Sequence, residues 1–288
     1  MKNRSLLFLI SCAVVLVAPG LRAQPSGGKK PDVLVGPATA KLGSTAQIQL
    51  PPGYAFLDGK TTRAMMKAAG EPTSGNEVGF IHPTNGEWSV FFDFRDVGYV
   101  KDDEKDKLDA SKMLKQITQG NDAANEERKR AGNPPLIIVG WEKEPKYNSE
   151  THNLEWAIRA TSEGRPVLNY NTRLLGRKGV MEVVLVCDPE NLAASLPPFK
   201  ELLAGYNFSS GQTYAEYKSG DKVAQYGLAA LVVGGAAVGA AKLGLFTSLA
   251  VILKKAWKLI VVAVAAVAAA VKKFFARLFG RSGETIPR

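Results

Sequence analysis

Apolar and polar positions along the chain change period several times, and each change marks an element. Thr45-Ala-Gln-Ile-Gln-Leu50 alternates strictly, Pro51-Pro-Gly53 turns, and Tyr54-Ala-Phe56 resumes the alternation, which predicts two short strands. Asp58 then stands where an N-cap belongs and predicts a helix through about Ala69. Glu77 to His82 and Trp88 to Phe94 are apolar and aromatic runs separated by Pro83-Thr-Asn-Gly86, a turn between strands. A long polar helix is predicted from Asp109 to Arg130, stopped at Gly132-Asn-Pro-Pro135. Four strands follow, over Leu136 to Lys143, Asn153 to Thr161, Val167 to Leu174 and Val180 to Cys187. A helix from Pro189 to Leu203 and a short strand at Asn207-Phe208 close the series. Strands joined by short polar turns pair most simply as antiparallel neighbours, so the expected fold is α+β, one antiparallel sheet packed with helices.

The two ends follow a different rule. Lys2 and Arg4 precede an apolar run from Leu6 to Val17, and Leu21-Arg-Ala23 precedes a Pro/Gly-rich stretch, the pattern of a secretory signal peptide over 1–23, cleaved after Ala23. Leu9-Ile-Ser-Cys12 offers a lipobox as an alternative, but the apolar run continues five residues beyond Cys12, where a processing site should end it. Residues 24–35 read as a flexible leader and 36–222 as a single exported domain. Residues 226–253 are almost wholly apolar; a helix over Gly227 to Leu253 would be about 40 Å long, against a hydrocarbon thickness of ~30 Å. This predicts one C-terminal transmembrane helix, followed by a basic, partly amphipathic tail over 254–288.

Charge sharpens that topology. The net charge is +10 over 288 residues. Residues 1–23 carry +3, 24–222 hold 25 bases against 26 acids, and 223–288 carry +8. The central region has no concentrated positive field, which argues against nucleic acid as a partner. Lys254, Lys255 and Lys258 directly follow the span and mark its cytoplasmic end, so the main domain is expected outside the cytoplasm, in agreement with the signal peptide. In 272–281 a helical projection puts Lys272, Lys273, Arg277 and Arg281 on one side and Phe275, Leu278 and Phe279 on the other, suited to the interface of a lipid bilayer. Lys242 lies near mid-span, where a lysine is costly. Two shorter helices flanking it are the alternative topology, and a role in assembly or transport is a further reading. Gly235-x-x-x-Gly239 has the small-residue spacing through which two such helices could form a homo-oligomer.

Gly140-Trp-Glu-Lys-Glu-Pro-Lys-Tyr147, Thr151-His-Asn-Leu-Glu-Trp156 and Asn169-Tyr-Asn-Thr-Arg-Leu-Leu-Gly-Arg-Lys-Gly179 resemble the uncharacterised bacterial membrane-anchored proteins grouped as domain of unknown function 2167. The resemblance extends from about Gly36 into the anchor, including Ala224-Gln-Tyr-Gly-Leu228 and Lys242. It implies a bacterial inner-membrane protein with its domain in the periplasm. It supplies no catalytic residues. At the level of fold alone, strand pairs around helices are similar to the small sandwiches of photosystem oxygen-evolving accessory proteins.

The chemistry-bearing residues are sparse. His82 and His152 are the two histidines; no HExxH, GxSxG, P-loop or CxxC pattern occurs, and the residues imply no metal and no cofactor. Asp102, Asp103, Glu104 and Asp106 are interleaved with lysines and lack EF-hand spacing, so they read as a solvated helix entry rather than a metal loop. Pairing of 136–143 with 153–161 would set Trp141 and Trp156 roughly opposite, with His152 at the turn and Tyr147 close by, an aromatic groove with a polar handle. Arg173 and Arg177, near Asn169 and Tyr170, are candidates for an anionic headgroup or carboxylate. Three classes of function follow. One is a non-catalytic module that binds an envelope protein or ligand beside the membrane; the second is an envelope glycan or lipid hydrolase or transferase with Glu155, Asp93 or His152 as acid or base. The third places the work in the membrane segment around Lys242. With no catalytic motif present, the first leads.

Overall fold

The computed structural model describes residues 32–234, except 70, 72, 85 and 131. The signal peptide, Cys12, Gly235, Gly239, Lys242, Lys254, Lys255, Lys258, Phe275 and Phe279 lie outside the described residues. In chain order the elements are β1 (Val33–Val35), β2 (Ala38–Leu42), β3 (Ala46–Leu50), β4 (Tyr54–Asp58), α1 (Gly59–Ala68), β5 (Glu77–Pro83) and β6 (Trp88–Arg95). Then come α2 (Ala110–Arg130), β7 (Ile137–Asn148), β8 (Asn153–Ser162), β9 (Arg165–Leu175), β10 (Val180–Cys187), α3 (Leu192–Ala204), β11 (Tyr206–Phe208) and α4 (Leu228–Val233). Eight strands form one sheet in the order β1-β4-β5-β6-β10-β9-β8-β7, and β11-β3-β2 form a second, so the single sheet expected is two: the short strands pair among themselves and pack their buried side chains on one face of the larger sheet. The strands pair antiparallel throughout, as the short turns predict.

The larger sheet buries both faces. On the first, Val90, Phe92, Leu168, Tyr170, Val183 and Leu185 pack against Leu42 and Ile48 of the small sheet and Phe199 and Leu202 of α3. On the second, Leu154, Trp156, Ile158, Leu175 and Val180 meet Met113 and Ile117 of α2 and Leu228, Leu231, Val232 and Val233 of α4. Side chains alternate between faces along a strand, so β9 sends Leu168, Tyr170, Thr172 and Leu174 to the first face and Asn169, Asn171, Arg173 and Leu175 to the second.

Helix ends follow the expected chemistry. The Asp58 side chain accepts from the Thr61 amide at 2.7 Å and caps α1, and Asp109 accepts from the Lys112 amide at 2.9 Å ahead of α2. After α2, Asn125 both donates to the Leu136 carbonyl (2.7 Å) and accepts from its amide (2.8 Å), while Asn121 donates to the same carbonyl at 2.6 Å. These bonds aim the chain from the helix into β7.

Three departures from the sequence expectation matter below. Val33–Val35, placed in the flexible leader, add β1 to the edge of the sheet beside β4. β7 is longer than expected and carries three register shifts, between Ile138 and Gly140, Trp141 and Lys143, and Lys143 and Lys146. Each shift inserts a residue, and together they allow Ile138, Trp141 and Tyr147 to join the second core although strict alternation would separate Ile138 from Trp141. Pro145 falls inside the last of them, on the edge strand, where a missing amide is tolerated. Finally, the first residues of the expected span form α4, six residues long, packed into the second core and ended by Gly234 in the left-handed region (φ 91°). Among the described residues no helix is long and apolar enough to cross a membrane.

Candidate functional site

The expected aromatic groove is only partly assembled. Trp141 pairs with Ile158, two residues beyond Trp156, because the register shifts move β7 along β8; the two indoles are diagonal neighbours rather than opposite. Trp156 is buried beneath Arg173, whose guanidinium lies 4.6 Å from its ring centroid, and Trp141 donates to the Ala110 carbonyl at the start of α2 (3.0 Å). Both are core residues.

His152 does occupy the β7–β8 turn, with φ 53°, and Tyr147 is its neighbour. The Tyr147 hydroxyl donates to Asp102 Oδ2 at 3.0 Å and lies 3.1 Å from His152 Nδ1. A hydroxyl has one proton, so with that proton on the carboxylate bond Nδ1 is the donor to Tyr147. Burial and the bond to Asp102 raise the Tyr147 pKa above the ordinary phenol value, which keeps the proton in place. Tyr214 stacks on Tyr99 (4.4 Å between ring centroids), while His152 meets Tyr214 and Tyr217 meets Tyr99 in tilted contacts, both at 4.3 Å. The acidic loop read as solvated is therefore partly structural: Asp102 holds Tyr147, and Glu104 Oε1 accepts from the Ala229 amide at 3.1 Å, capping α4.

Glu155 faces the other way. One of its oxygens accepts from Tyr170 (2.7 Å), Lys143 (3.2 Å) and Lys200 (2.9 Å), and Lys143 also donates to the Tyr170 hydroxyl at 2.9 Å. Burial opposes its ionisation, but the bonds from Tyr170 and Lys200 outweigh burial and hold the carboxyl below the ordinary range. A carboxylate so fully engaged ties α3 to the sheet and is a poor proton donor. Arg177 is likewise committed: it grips Asp221 with two bonds, Nε at 2.6 Å and Nη2 at 2.8 Å, and Asp221 is lowered to about 2 by that pairing. Arg173 and Arg177, taken together from the sequence, serve different neighbourhoods, as do Asn169 and Tyr170, which point to opposite faces.

What the structure does assemble is a charged row across the centre of the second face. In register, Asp93 of β6 lies opposite Glu182 of β10, and Glu182 lies opposite Arg173 of β9. Arg95 is two residues along β6 on the same face. Glu182 bridges the two cations loosely, with Oε2 3.6 Å from Arg95 Nε and Oε1 3.7 Å from Arg173 Nε. Neither distance is a hydrogen bond. Burial, then repulsion from Glu182 and Glu77, pushes the Asp93 carboxyl up to about 7, against partial relief from Arg95 and Arg173. Among the described residues seven sealed side-chain polar atoms have no hydrogen-bond partner, and four belong to this face: Asp93 Oδ1, Arg95 Nε, Arg173 Nε and Asn169 Oδ1. Asn171, between Asn169 and Arg173, is buried too. Arg95 and Glu182 leave the row open on one side, with side chains 36% and 20% exposed.

Of the candidate residues, the structure brings together Tyr147 and His152 in one cluster and Asp93, Asn169 and Arg173 in another. It does not bring Glu155, Asp93 and His152 to one site. Glu182, Arg95 and Asn171 were missed, as were Tyr99, Tyr214 and Tyr217. Among the described residues no group of three or more His, Cys, Asp or Glu side chains is placed to hold a metal ion.

The family model described as protein of unknown function (DUF2167) matches residues 35–265. The chain belongs to that family. The DUF2167 match takes in residues 36–222 and the whole of the expected span over 226–253, and the family's description assigns no activity. No curated protein matches the chain. Among solved structures, cyanobacterial PsbP (CyanoP) from Synechocystis sp. PCC 6803 is similar over 66% of this chain and 100% of its own, at 9% identity and TM-score 0.39. The Ran-binding protein Mog1p of Saccharomyces cerevisiae is similar over 66% and 100%, at 10% identity and TM-score 0.30. At those TM-scores neither likeness carries an argument about the DUF2167 chain, including the expected one to photosystem accessory proteins.

Proposed function

We propose that this chain is a membrane-tethered binding module of the bacterial envelope, which holds a ligand on the charged row of its second face. The observation that supports this is the concentration of four unpartnered polar atoms, on Asp93, Arg95, Arg173 and Asn169, within three adjacent strands. An unmet buried polar group costs about 1–3 kcal/mol, and native proteins satisfy the large majority of them. A ligand that completes these bonds makes the row useful; without one it is a standing loss. The tether is the apolar segment from 235 to 253, with the domain on the periplasmic side of the inner membrane and the basic tail in the cytoplasm. α4, the first part of the expected span, sits against the core and is capped by Glu104, so the span begins only after Gly234.

The test is photocrosslinking in intact cells, with benzoylphenylalanine in place of Val184, half-buried on the second face between Glu182 and Val186. A light-dependent adduct at 184, absent when the same group replaces exposed Arg159 on the first face, supports the reading. No adduct at 184 refutes it. Orientation is checked separately: a reporter enzyme active only outside the cytoplasm should work when fused near Thr213 and be silent after Arg281.

A second reading, a glycan hydrolase or transferase, is favoured by one observation. Asp93, with a carboxyl pushed up to about 7 by burial, lies directly across the strand pair from Glu182, which faces two arginines. Two facing carboxyls in unlike environments are suited to general acid and base roles.

A further inference from the structure

We propose that the ligand of the charged row is a saccharide, bound through its ring hydroxyls. The proposal rests on the reading of that row as a ligand site and names the chemistry it would take.

Arg95 Nε–H and Arg173 Nε–H are donors, while Asn169 Oδ1 and Asp93 Oδ1 are acceptors. Donors and acceptors thus interleave: Asp93 and Arg95 lie along β6, Glu182 lies across from Asp93, Arg173 across from Glu182, and Asn171 and Asn169 continue along β9. A hydroxyl both donates and accepts, so an oligosaccharide can give protons to the carboxyl and amide oxygens and take them from the guanidinium groups; Asn169 stands four residues along β9 from Arg173, about 13 Å at the usual rise, so more than one ring is needed to reach both. Peptide amides separate the two functions into different groups and suit a line of partners along one strand edge; this row runs across the middle of a sheet, from β6 to β9, roughly 10 Å at the usual strand spacing.

Charge points the same way. Arg95 and Arg173 are offset by Glu182 and by the acids Asp93 and Glu77 nearby. The site has no net field to favour a free anion such as phosphate, nor one to favour an amine. A neutral polyol loses little by entering such a site, provided its hydroxyls are paired. Ring surface for the carbon side of a sugar is also at hand in half-buried Tyr226, close enough to Glu182, Arg95 and Arg173 for their charges to act on its hydroxyl. Arg95 and Glu182 are the partly exposed members of the row and the four unpartnered atoms are sealed, so entry requires these two side chains to swing aside.

The experiment applies the purified full chain, in detergent, to a printed array of bacterial oligosaccharides, and measures the retained saccharides by titration calorimetry. The expected result is retention of at least one saccharide by the native chain. Arg95→Lys keeps the charge and removes the Nε–H, and Asn169→Ser shortens the acceptor; each should weaken that saccharide about tenfold or more, the effect of losing about 1.4 kcal/mol. Thermal unfolding of the ligand-free variants distinguishes this from a purely structural role: Arg95 is partly exposed, so Arg95→Lys should melt with the native chain. Lys200→Ala, on the opposite face, should bind as the native chain does. Retention of no saccharide overturns the proposal, as does equal binding by native chain and both row variants. An adduct at 184 in cells combined with an empty array would leave the binding module standing and remove the saccharide.

Discussion

Replacing Asp93 with Asn should stabilise the protein, and by an amount that depends on pH. In the folded chain the carboxyl sits between strands, with Glu182 facing it from β10, Glu77 from β5, Arg95 beside it on β6 and Arg173 beyond Glu182 on β9. Its pKa rises from 3.8 to about 7. The folded state therefore binds the proton more tightly than the unfolded one. Below pH 4 both states are protonated and the residue is neutral in its effect. Between pH 4 and pH 7 the unfolded state loses its proton first, and stability falls as pH rises; above pH 7 both are ionised and the loss is complete. Three pKa units at about 1.4 kcal/mol each set an upper limit of about 4 kcal/mol on that loss. Asn has the same shape and no charge, so its advantage over Asp should be near zero at pH 4 and reach about 2–4 kcal/mol by pH 8. Urea denaturation of parent and variant at intervals between pH 4 and pH 8 measures it, and the difference between the two curves removes every other titrating group. A variant equally destabilised at both extremes, or a gap that stays flat with pH, would refute the account of Asp93 as a carboxyl held against its ionisation.

Other substitutions test other parts of the structure. A Cβ added at Gly179 would overlap the Arg95 carbonyl, a backbone atom that cannot rotate away, so Gly179→Ala should cost about 1–3 kcal/mol in denaturant melts. Glu104→Ala removes the cap from α4 and should cost about 1 kcal/mol, with faster hydrogen exchange confined to residues 228–233 and their neighbours. Burial pushes the Cys187 thiol up to about 11, so it should resist a thiol reagent at pH 8 in the folded chain and react at once in denaturant.

Much of the fold was legible because one rule, alternation, governs most of it. β3, β4, β5, β6 and β10 each present one inward series with enough apolar bulk to read. β2 was overlooked for the complementary reason: its inward residues include Ala38 and Ala40, small enough to fit beneath the main sheet and too small to signal a buried face. β1 gave the opposite trouble, since Val33, Leu34 and Val35 are all exposed and show no alternation at all. β7 could be found but not registered. Its three inserted residues break the period that would have placed Trp141, and a register shift depends on how the partner strand packs, which no local pattern records.

The charged row illustrates a different limit. Part of it was legible: Asn169 and Arg173 stand out as candidates, and Asn171, passed over between them, completes a series at every second position of a strand whose other face carries the core residues Leu168, Tyr170 and Leu174. Such a series declares a polar face on an otherwise buried strand. Asp93 and Glu182 are single polar residues inside apolar runs, each suggestive alone and neither pointing to the other, because 89 residues of chain separate two side chains that the sheet sets side by side. The same topology explains why Glu155, the other candidate acid, was misleading. Its position in β8 differs from that of Trp156 by one residue, and in a strand one residue is the difference between two faces. Glu155 consequently meets Lys143, Lys200 and Tyr170 and is fully engaged, whereas Asp93 and Arg173, on the other side of the sheet, each keep one side-chain atom without a hydrogen-bond partner among the described residues. The domain has enough polar partners to quiet one cluster and leaves the other open, and it is the open one that has chemistry to offer a ligand.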